Sequence, residues 1–386
     1  MARAKAAALA IGPPLKLVLI LALVNMLEGD GPDGDRKAVR QMADQIPVID
    51  LGAALGTPAP DGLLDAVRNA AERTGVIQVV NHGVPAGLLA DYDRRIGRLL
   101  GLPRAEKARL ASPAGHPYRG WRQWPDDFGR LELERYNVAQ FDTPEDARSA
   151  GVPAEYAGVY EHPNVWPPDD PGLRGAALRY LDAARQLAGR VLTLYAGALG
   201  AAPETFPLGA LPHVRLTTND YPAWCYPDTG SDEDKLLLLE HADDSAVTIL
   251  SQDGGYQGLQ VQLADGSWTP VPIVPGALQV FSGELLTRWT GGRLRAGRHR
   301  VVAGGTQTRR STAVFCYPSL ETVVEPLAPF AGPGGGAGDG GAIRVWEHVR
   351  HRAEDYLADY GRPEQVAAWR EGKPYVADLS ETSAGR

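Results

Sequence analysis

Cysteine is scarce: the 386 residues hold two, Cys225 and Cys316. Two thiols cannot build a disulfide framework or a cysteine-based zinc ribbon, and their rarity suits a reducing compartment, so a cytoplasmic protein is expected. A bilayer-length apolar run is missing as well. The run near the N-terminus, Leu17 to Val24, is well short of the ~20 residues that span a membrane. Arg3, Lys5 and Lys16 lead into it and the acidic, glycine-rich stretch Glu28 to Asp35 follows, with no small-x-small cleavage site close behind. Residues 1–44 are therefore expected to be a disordered or loosely helical extension, without stable membrane association. A positive surplus is also lacking. With 39 Lys and Arg against 47 Asp and Glu the net charge is −8, which argues against a phosphate backbone as partner, so no nucleic acid is expected. What remains is a hydrophobic fraction of 44% and a charged fraction of 22%, ordinary for a folded chain. Eight histidines are left as the leading metal-ligand candidates.

The length alone admits two to three domains, or one large β-barrel domain with helical flanks. Ile46 to Leu51 reads as a short strand. A helix is predicted over Asp61 to Gly75, where Leu63, Leu64, Val67 and Ala71 recur at helical spacing, Asp61 can cap the start and Gly75 can end it. Val76 to Val80 is a β-branched apolar run that stops at the turn Asn81-His82-Gly83, and a second helix is predicted over Ala86 to Leu100. His116 to Trp124 is aromatic and reads as irregular, and Leu173 to Leu199 as a long amphipathic helix. From His213 to Leu320 the texture changes. Short apolar runs alternate with turns at Val214–Leu216, Val247–Leu250, Leu259–Leu263, Ala277–Phe281, His299–Val302 and Thr312–Tyr317, the pattern of a sandwich or barrel. The expected organisation is an α/β part over 45–212 packed on a β core over 213–325, a glycine-rich linker over 326–342, and a C-terminal helix and tail over 343–386.

Within the β-rich region stands His241-Ala242-Asp243, and His299 opens a later strand. On an extended segment residues i and i+2 share a face, so His241 and Asp243 can converge while Asp244 points away. Two imidazoles and one carboxylate form the facial set that suits Fe(II), leaving coordination positions open. His-x-Asp alone is more often a polar loop pair. Its company changes the weight: Arg309 lies 10 residues beyond His299 and shares a strand face with Ser311, and an arginine fork with a hydroxyl suits a carboxylate ligand.

These elements resemble the isopenicillin N synthase-like family of Fe(II)/2-oxoglutarate-dependent oxygenases. The resemblance extends through Asn219-Asp220-Tyr221-Pro222, Gly258-Leu259-Gln260-Val261, Asp265-Gly266-x-Trp268, Pro275-Gly276-Ala277, Trp289-Thr290-x-Gly292 and His299-Arg300-Val301-Val302. Ile46–Leu51 and Asn81-His82-Gly83-Val84-Pro85 resemble N-terminal elements of the same family, so the likeness covers roughly residues 46–325. The chain departs from the pattern at Ala242, where threonine is usual, at Val76-Ile77, where an aromatic pair is usual, and in the acidic loop Asp228 to Asp234.

The resemblance implies a mainly β fold with flanking α, a double-stranded β-helix (jelly roll) core. It implies Fe(II) on His241, Asp243 and His299, and 2-oxoglutarate as co-substrate with its distal carboxylate on Arg309, helped by Ser311 and Tyr221, with Asn219 lining the same site. With O2 the expected reaction is hydroxylation, desaturation or cyclisation of a small-molecule substrate in specialised metabolism, giving succinate and CO2. No catalytic side chain beyond the metal ligands is expected, and a monomer suffices. An aspartate at 243 argues against halogenation, which needs that coordination position. Tyr118, Trp121 and Trp124 occupy a stretch that in this family approaches the active-site mouth, and are candidate substrate contacts. His82 belongs to a turn element, and His116, His162, His213, His348 and His351 have no ligand-like company. Two alternatives stand beside this reading: an iron oxidase of the same fold that does not use 2-oxoglutarate, and a non-catalytic jelly-roll binding protein.

Overall fold

Alternating burial organises the C-terminal half into two sheets. The computed structural model describes residues 46–55, 60, 62–111, 118–125, 132–160, 162–225, 230–252, 256–304, 306–330 and 341–360. The N-terminal extension, most of the glycine-rich linker and the tail after residue 360 lie outside them. The chain opens with β1 (Val48–Asp50), α1 (Leu51–Ala54), α2 (Leu63–Arg73), β2 (Val76–Val80), α3 (Ala86–Leu100) and α4 (Arg104–Ala108). It continues with β3 (Gly120–Pro125), β4 (Glu132–Ala139), α5 (Pro144–Ser149) and the long α6 (Pro171–Ala198). There follow β5 (Pro212–Tyr221), β6 (Leu236–His241), β7 (Val247–Gln252), β8 (Leu259–Gln262), β9 (Trp268–Pro270), β10 (Leu278–Ser282) and α7 (Glu284–Trp289). The last elements are β11 (His299–Val302), β12 (Arg309–Ser319), β13 (Val323–Val324), β14 (Ile343–Arg344) and α8 (Val345–Tyr360).

The major sheet has eight strands in the order β1-β2-β10-β7-β12-β5-β4-β3, and the minor sheet has four, β6-β11-β8-β9. Residues of both sheets line one cavity, so the core is a double-stranded β-helix with helices outside. The N-terminal strands extend the major sheet at both edges rather than only packing on it. Strand pleating divides that sheet into two faces. On β5, β7 and β12 the residues Val214, Leu216, Val247, Ile249, Val314 and Cys316 enter the main hydrophobic core with α6. α6 presents Leu173, Ala176, Ala177, Tyr180, Leu181, Ala184, Leu187, Ala188 and Val191 as its buried stripe, at the i, i+3, i+4 spacing of a packed helix face. Proline at its first turn suits a position whose N–H has no helical partner. Among the described residues no helix is long and apolar enough to cross a membrane.

Two local expectations need correction. The first long helix starts at Leu63, not Asp61. Its cap is Gly62 in the left-handed region, φ 75°, with no side-chain hydrogen bond, and Asp61 lies outside the described residues. The other end follows the expectation: Gly75, φ 70°, turns the chain and donates its N–H to the Ala70 carbonyl. The stretch before Trp124 is not irregular. From Gly120 it forms β3, paired antiparallel with β4. β4 and β6 themselves had no period-2 pattern to announce them, since Glu132–Ala139 is charge-rich and Leu236–Leu239 is four leucines in a row.

Candidate metal centre and active-site cavity

The face of the major sheet turned away from α6 is the floor of a cavity of about 440 Å³. Two strands lay its central rungs. In the antiparallel register of β5 and β12, Arg309 stands opposite Tyr221, Ser311 opposite Asn219, Ala313 opposite Thr217, and Phe315 opposite Arg215. All eight line the cavity, as strand periodicity requires of residues two apart. β7 adds Thr248 and Leu250 beside Phe315 and Ala313.

The minor sheet covers this floor and carries the histidines. His241 ends β6 and His299 begins β11; the two are direct cross-strand partners, with ring centroids 4.2 Å apart. Asp243 lies just past the end of β6, so a turn rather than strand pleating brings it in. Its backbone carbonyl accepts the N–H of Glu284, which ties it to the start of α7. Asp243 Oδ1 stands 3.9 Å from His241 Nε2 and 4.0 Å from His299 Nε2. One ligand atom from each of the three residues lies within 4.8 Å of the others.

Each imidazole is oriented from behind. His241 Nδ1 donates to the Leu239 carbonyl and His299 Nδ1 to the Gly297 carbonyl, both at 2.9 Å. A carbonyl can only accept, so the proton sits on Nδ1 and the Nε2 lone pair faces the cluster. Burial first, then the neighbouring His241, push the His299 pKa down to about 4, which keeps it a neutral ligand. Two neutral imidazoles and one carboxylate are a donor set that fits a divalent iron ion.

At one end of the floor Arg309 is 1% exposed. Its Nη1 donates to Ser311 Oγ at 3.3 Å and its Nη2 to Gln252 Oε1 at 3.0 Å, and its guanidinium lies 5.2 Å from the centre of the Tyr221 ring. Arg309 Nε and Gln252 Nε2 are buried without a hydrogen-bond partner. Among the described residues no carboxylate pairs with Arg309. A buried cation with an idle donor is costly unless an anion joins it, so this end fits a bound carboxylate. Asn219 lines the same floor, with its Oδ1 taken by Arg135 Nε at 2.5 Å.

The aromatic stretch divides. Tyr118 lines the cavity. Trp121 does not serve there: it belongs to the main core and donates its indole N–H to Glu134 at 2.9 Å. Trp124 continues β3, but its side chain is not among those described. Three other histidines bond within the scaffold, His82 to the Gly276 carbonyl, His213 to the Tyr160 hydroxyl and His348 to the Asp244 carbonyl. Asp244, beside the cluster, turns to Arg215 and the Tyr317 hydroxyl. Burial opposes its ionisation, yet Arg215 and Tyr317 outweigh that and hold its carboxyl below the usual range.

Sequence reading missed Arg215, Thr217, Phe315 and Arg352, all of which line the cavity. The first three had a signal. Counting back in twos from Tyr221 and Asn219 gives Thr217 and Arg215, and counting forward in twos from Arg309 and Ser311 gives Ala313 and Phe315. Arg352 arrives on α8 from a distant part of the chain and had none.

The chain matches the model of the 2OG-Fe(II) oxygenase superfamily over residues 214–318, and that of the N-terminal region of non-haem dioxygenases in morphine synthesis over residues 46–169. It is 32% identical over 301 residues to 2-oxoglutarate-dependent dioxygenase 19 of Oryza sativa subsp. japonica, covering 75% of this chain and 81% of that protein. It is 29% identical over 334 residues to validamycin A dioxygenase of Streptomyces hygroscopicus subsp. limoneus, covering 82% of this chain and 88% of that protein. Its fold is similar to that of the dioxygenase for auxin oxidation in rice, solved as a crystal structure. The TM-score is 0.61 at 23% identity, covering 80% of this chain and 95% of that one. The chain belongs to the 2OG-Fe(II) oxygenase superfamily. It is an oxidoreductase of the dioxygenase class, with Fe(II) as its metal and 2-oxoglutarate as co-substrate.

Proposed function

We propose that His241, Asp243 and His299 hold the iron, that Arg309 anchors the distal carboxylate of 2-oxoglutarate, and that the enzyme oxidises a small organic molecule of specialised metabolism. The observation that carries this reading is the buried guanidinium of Arg309, with no counter-charge among the described residues, on the floor of the cavity that His241, Asp243 and His299 also line. When bound, iron and 2-oxoglutarate supply with O2 the oxidising power for an unactivated C–H bond, with succinate and CO2 as co-products.

The chain's own residues then do three things. Arg309, with the Ser311 hydroxyl and Tyr221 beside it, fixes one end of the co-substrate by charge and hydrogen bonding. The carbonyls of Leu239 and Gly297 hold both imidazoles with Nε2 toward the metal position. Leu250, Leu259 and Val301 line the cavity with apolar surface and keep water from the reacting centre. Specialised metabolism is supported by the activities for which relatives are named, such as validamycin A dioxygenase and Arabidopsis thaliana feruloyl CoA ortho-hydroxylase 1. We also read the chain as a cytoplasmic monomer without nucleic acid as partner, with residues 213–325 as the oxygenase core, 45–212 as its α/β flank, 326–342 as linker and 343–386 as C-terminal helix and tail. The negative net charge and the two cysteines support the first part of that reading.

The test is an Arg309→Ala variant. It should retain iron by metal analysis and lose saturable 2-oxoglutarate binding, while the wild type forms one succinate per O2 consumed. Full 2-oxoglutarate-dependent turnover in the variant overturns the assignment.

A further inference from the structure

The cavity floor has two ends, and the co-substrate accounts for one. Arg215 lies six residues from Tyr221 along β5, and Phe315 six residues from Arg309 along β12. At about 3.3 Å per residue the two ends are roughly 20 Å apart. A five-carbon diacid anchored at Arg309 covers roughly a third of that length. The rest is floored by Thr217, Ala313, Phe315 and Arg215 and overhung by the metal cluster.

The Arg215 guanidinium is clamped on all sides but one. Its Cζ sits 3.9 Å from the centre of the Phe315 ring and 4.5 Å from that of Tyr118, so aromatic rings pack against it. Its Nε and Nη2 donate to the Tyr317 hydroxyl at 3.1 and 2.8 Å, and Nη2 also to Asp244 Oδ1 at 3.2 Å. The Tyr317 hydroxyl in turn donates to Asp244 Oδ1 at 2.5 Å, and His348 of α8 engages the Asp244 carbonyl. Nη1 alone makes no hydrogen bond among the described residues, and it is not among the buried polar atoms sealed without a partner. It is therefore the edge that the cavity can reach. Two more guanidinium groups, Arg135 and Arg352, line the same cavity, and Arg352 is itself steadied on Glu284. At the rim beside His241, Leu239 is 41% exposed and lines the cavity too. An apolar lip near the metal and a rigid cation beyond it describe the two parts of a ligand.

We propose that the substrate is an amphipathic carboxylic acid, its apolar body crossing the metal centre and its carboxylate received by the open Nη1 edge of Arg215, with Arg352 beside it. Arg215 is thus the specificity-determining residue. Asp244, which also lines the cavity, and Tyr317 are positioning residues, since their hydrogen bonds go to the guanidinium and to each other. The inference rests on 2-oxoglutarate occupying the Arg309 end.

Binding without turnover tests it. Protein loaded with Fe(II) and saturated with 2-oxoglutarate under anaerobic conditions is titrated calorimetrically with matched pairs: 3-phenylpropanoate, indole-3-propanoate and decanoate, each against its primary amide. At least one acid should bind with Kd below about 1 mM and tenfold or more tighter than its amide, without displacing 2-oxoglutarate. Arg215→Gln should abolish that preference while 2-oxoglutarate still binds. Arg352→Gln, at a side chain 42% exposed and so tolerant of change, should reduce the preference at least threefold even where the Arg215 variant folds poorly. The proposal is overturned if no acid of the set is preferred over its amide, or if the preference survives in both variants. Failure of the wild type to bind 2-oxoglutarate at all would instead overturn the co-substrate reading beneath it.

Discussion

Replacing Arg309 with methionine should move the protein in opposite directions with and without 2-oxoglutarate. In the ligand-free protein the guanidinium is buried with an unbonded Nε and no carboxylate partner among the described residues. An unsatisfied buried donor costs about 1–3 kcal/mol, and methionine fills similar space without it. The ligand-free variant should therefore gain about 1–2 kcal/mol, an upward Tm shift of about 2–4 °C by the scaling of larger domains. With the co-substrate the sign reverses. A ligand at a thousand times its Kd stabilises the wild type by about 4 kcal/mol. Removing one partner of a buried ion pair costs about 3–5 kcal/mol, a loss of roughly a hundredfold to a few thousandfold in affinity. At a thousandfold loss, the same 2-oxoglutarate concentration leaves the variant only about 0.4 kcal/mol of stabilisation. Anaerobic thermal melts with Fe(II), in the presence and absence of 2-oxoglutarate, read both halves. The reasoning is refuted if the ligand-free variant melts clearly below the wild type, or if 2-oxoglutarate raises both proteins equally.

Further outcomes follow from the same structure. His299→Ala removes one of three ligand atoms gathered within 4.8 Å, so iron content and turnover should vanish together, and unchanged metal stoichiometry would contradict the triad. Burial, then the charges of Arg215 and Arg119, lower the His213 pKa from 6.5 to about 3, so the folded state refuses a proton that the unfolded chain accepts below pH 6.5. This stability contribution is intact above pH 6.5 and drains away toward pH 3, about 2 kcal/mol of it by pH 5. The fall in Tm from pH 7 to pH 5 should accordingly be shallower in His213→Gln than in the wild type, and equal slopes would exclude His213 as the cause. Gly75→Ala places a side chain at φ 70° with its Cβ 2.4 Å from the Arg295 carbonyl, so it should cost at least about 1–2 kcal/mol in denaturant unfolding; a neutral result would contradict the close approach.

Local spacing made part of this molecule legible. Arg309 and Ser311 stand two apart on one strand, where periodicity alone says which side chains can meet. His241 and Asp243 are as close in sequence, but a turn past β6, not the pleat, brings Asp243 in. His299 opens a strand whose bounds the apolar run marked. The boundaries of α3 and of the β11 strand were readable for the same reason, a clean pattern between clear stops. What stayed hidden depends on contacts between distant segments. The four leucines before Glu240 carry no alternation, so β6 was unmarked although it delivers a histidine. Trp121 looks like a cavity aromatic by position, but β4 supplies Glu134 as an indole partner and draws it into the core. Arg215 serves the cavity only because Asp244 and Tyr317 meet it from elsewhere in the fold, and Arg352 only because α8 folds back from the far side of the linker.

The paired rungs of β5 and β12 also separate two kinds of change. Arg309, Ser311, Asn219 and Tyr221 occupy one end of the ladder, and Arg215, Thr217, Ala313 and Phe315 the other, on the same backbone hydrogen bonds and the same register. On the proposed reading, a substitution at the second set would alter what the floor offers a substrate without moving a strand, while the Arg309 end would keep its place. Such a scaffold is modular within a single pair of strands. Its reactivity could be inherited intact while its taste in substrates drifts one alternate residue at a time, and Leu216 and Val314 between those rungs, turned into the α6 core, hold the register still while that happens.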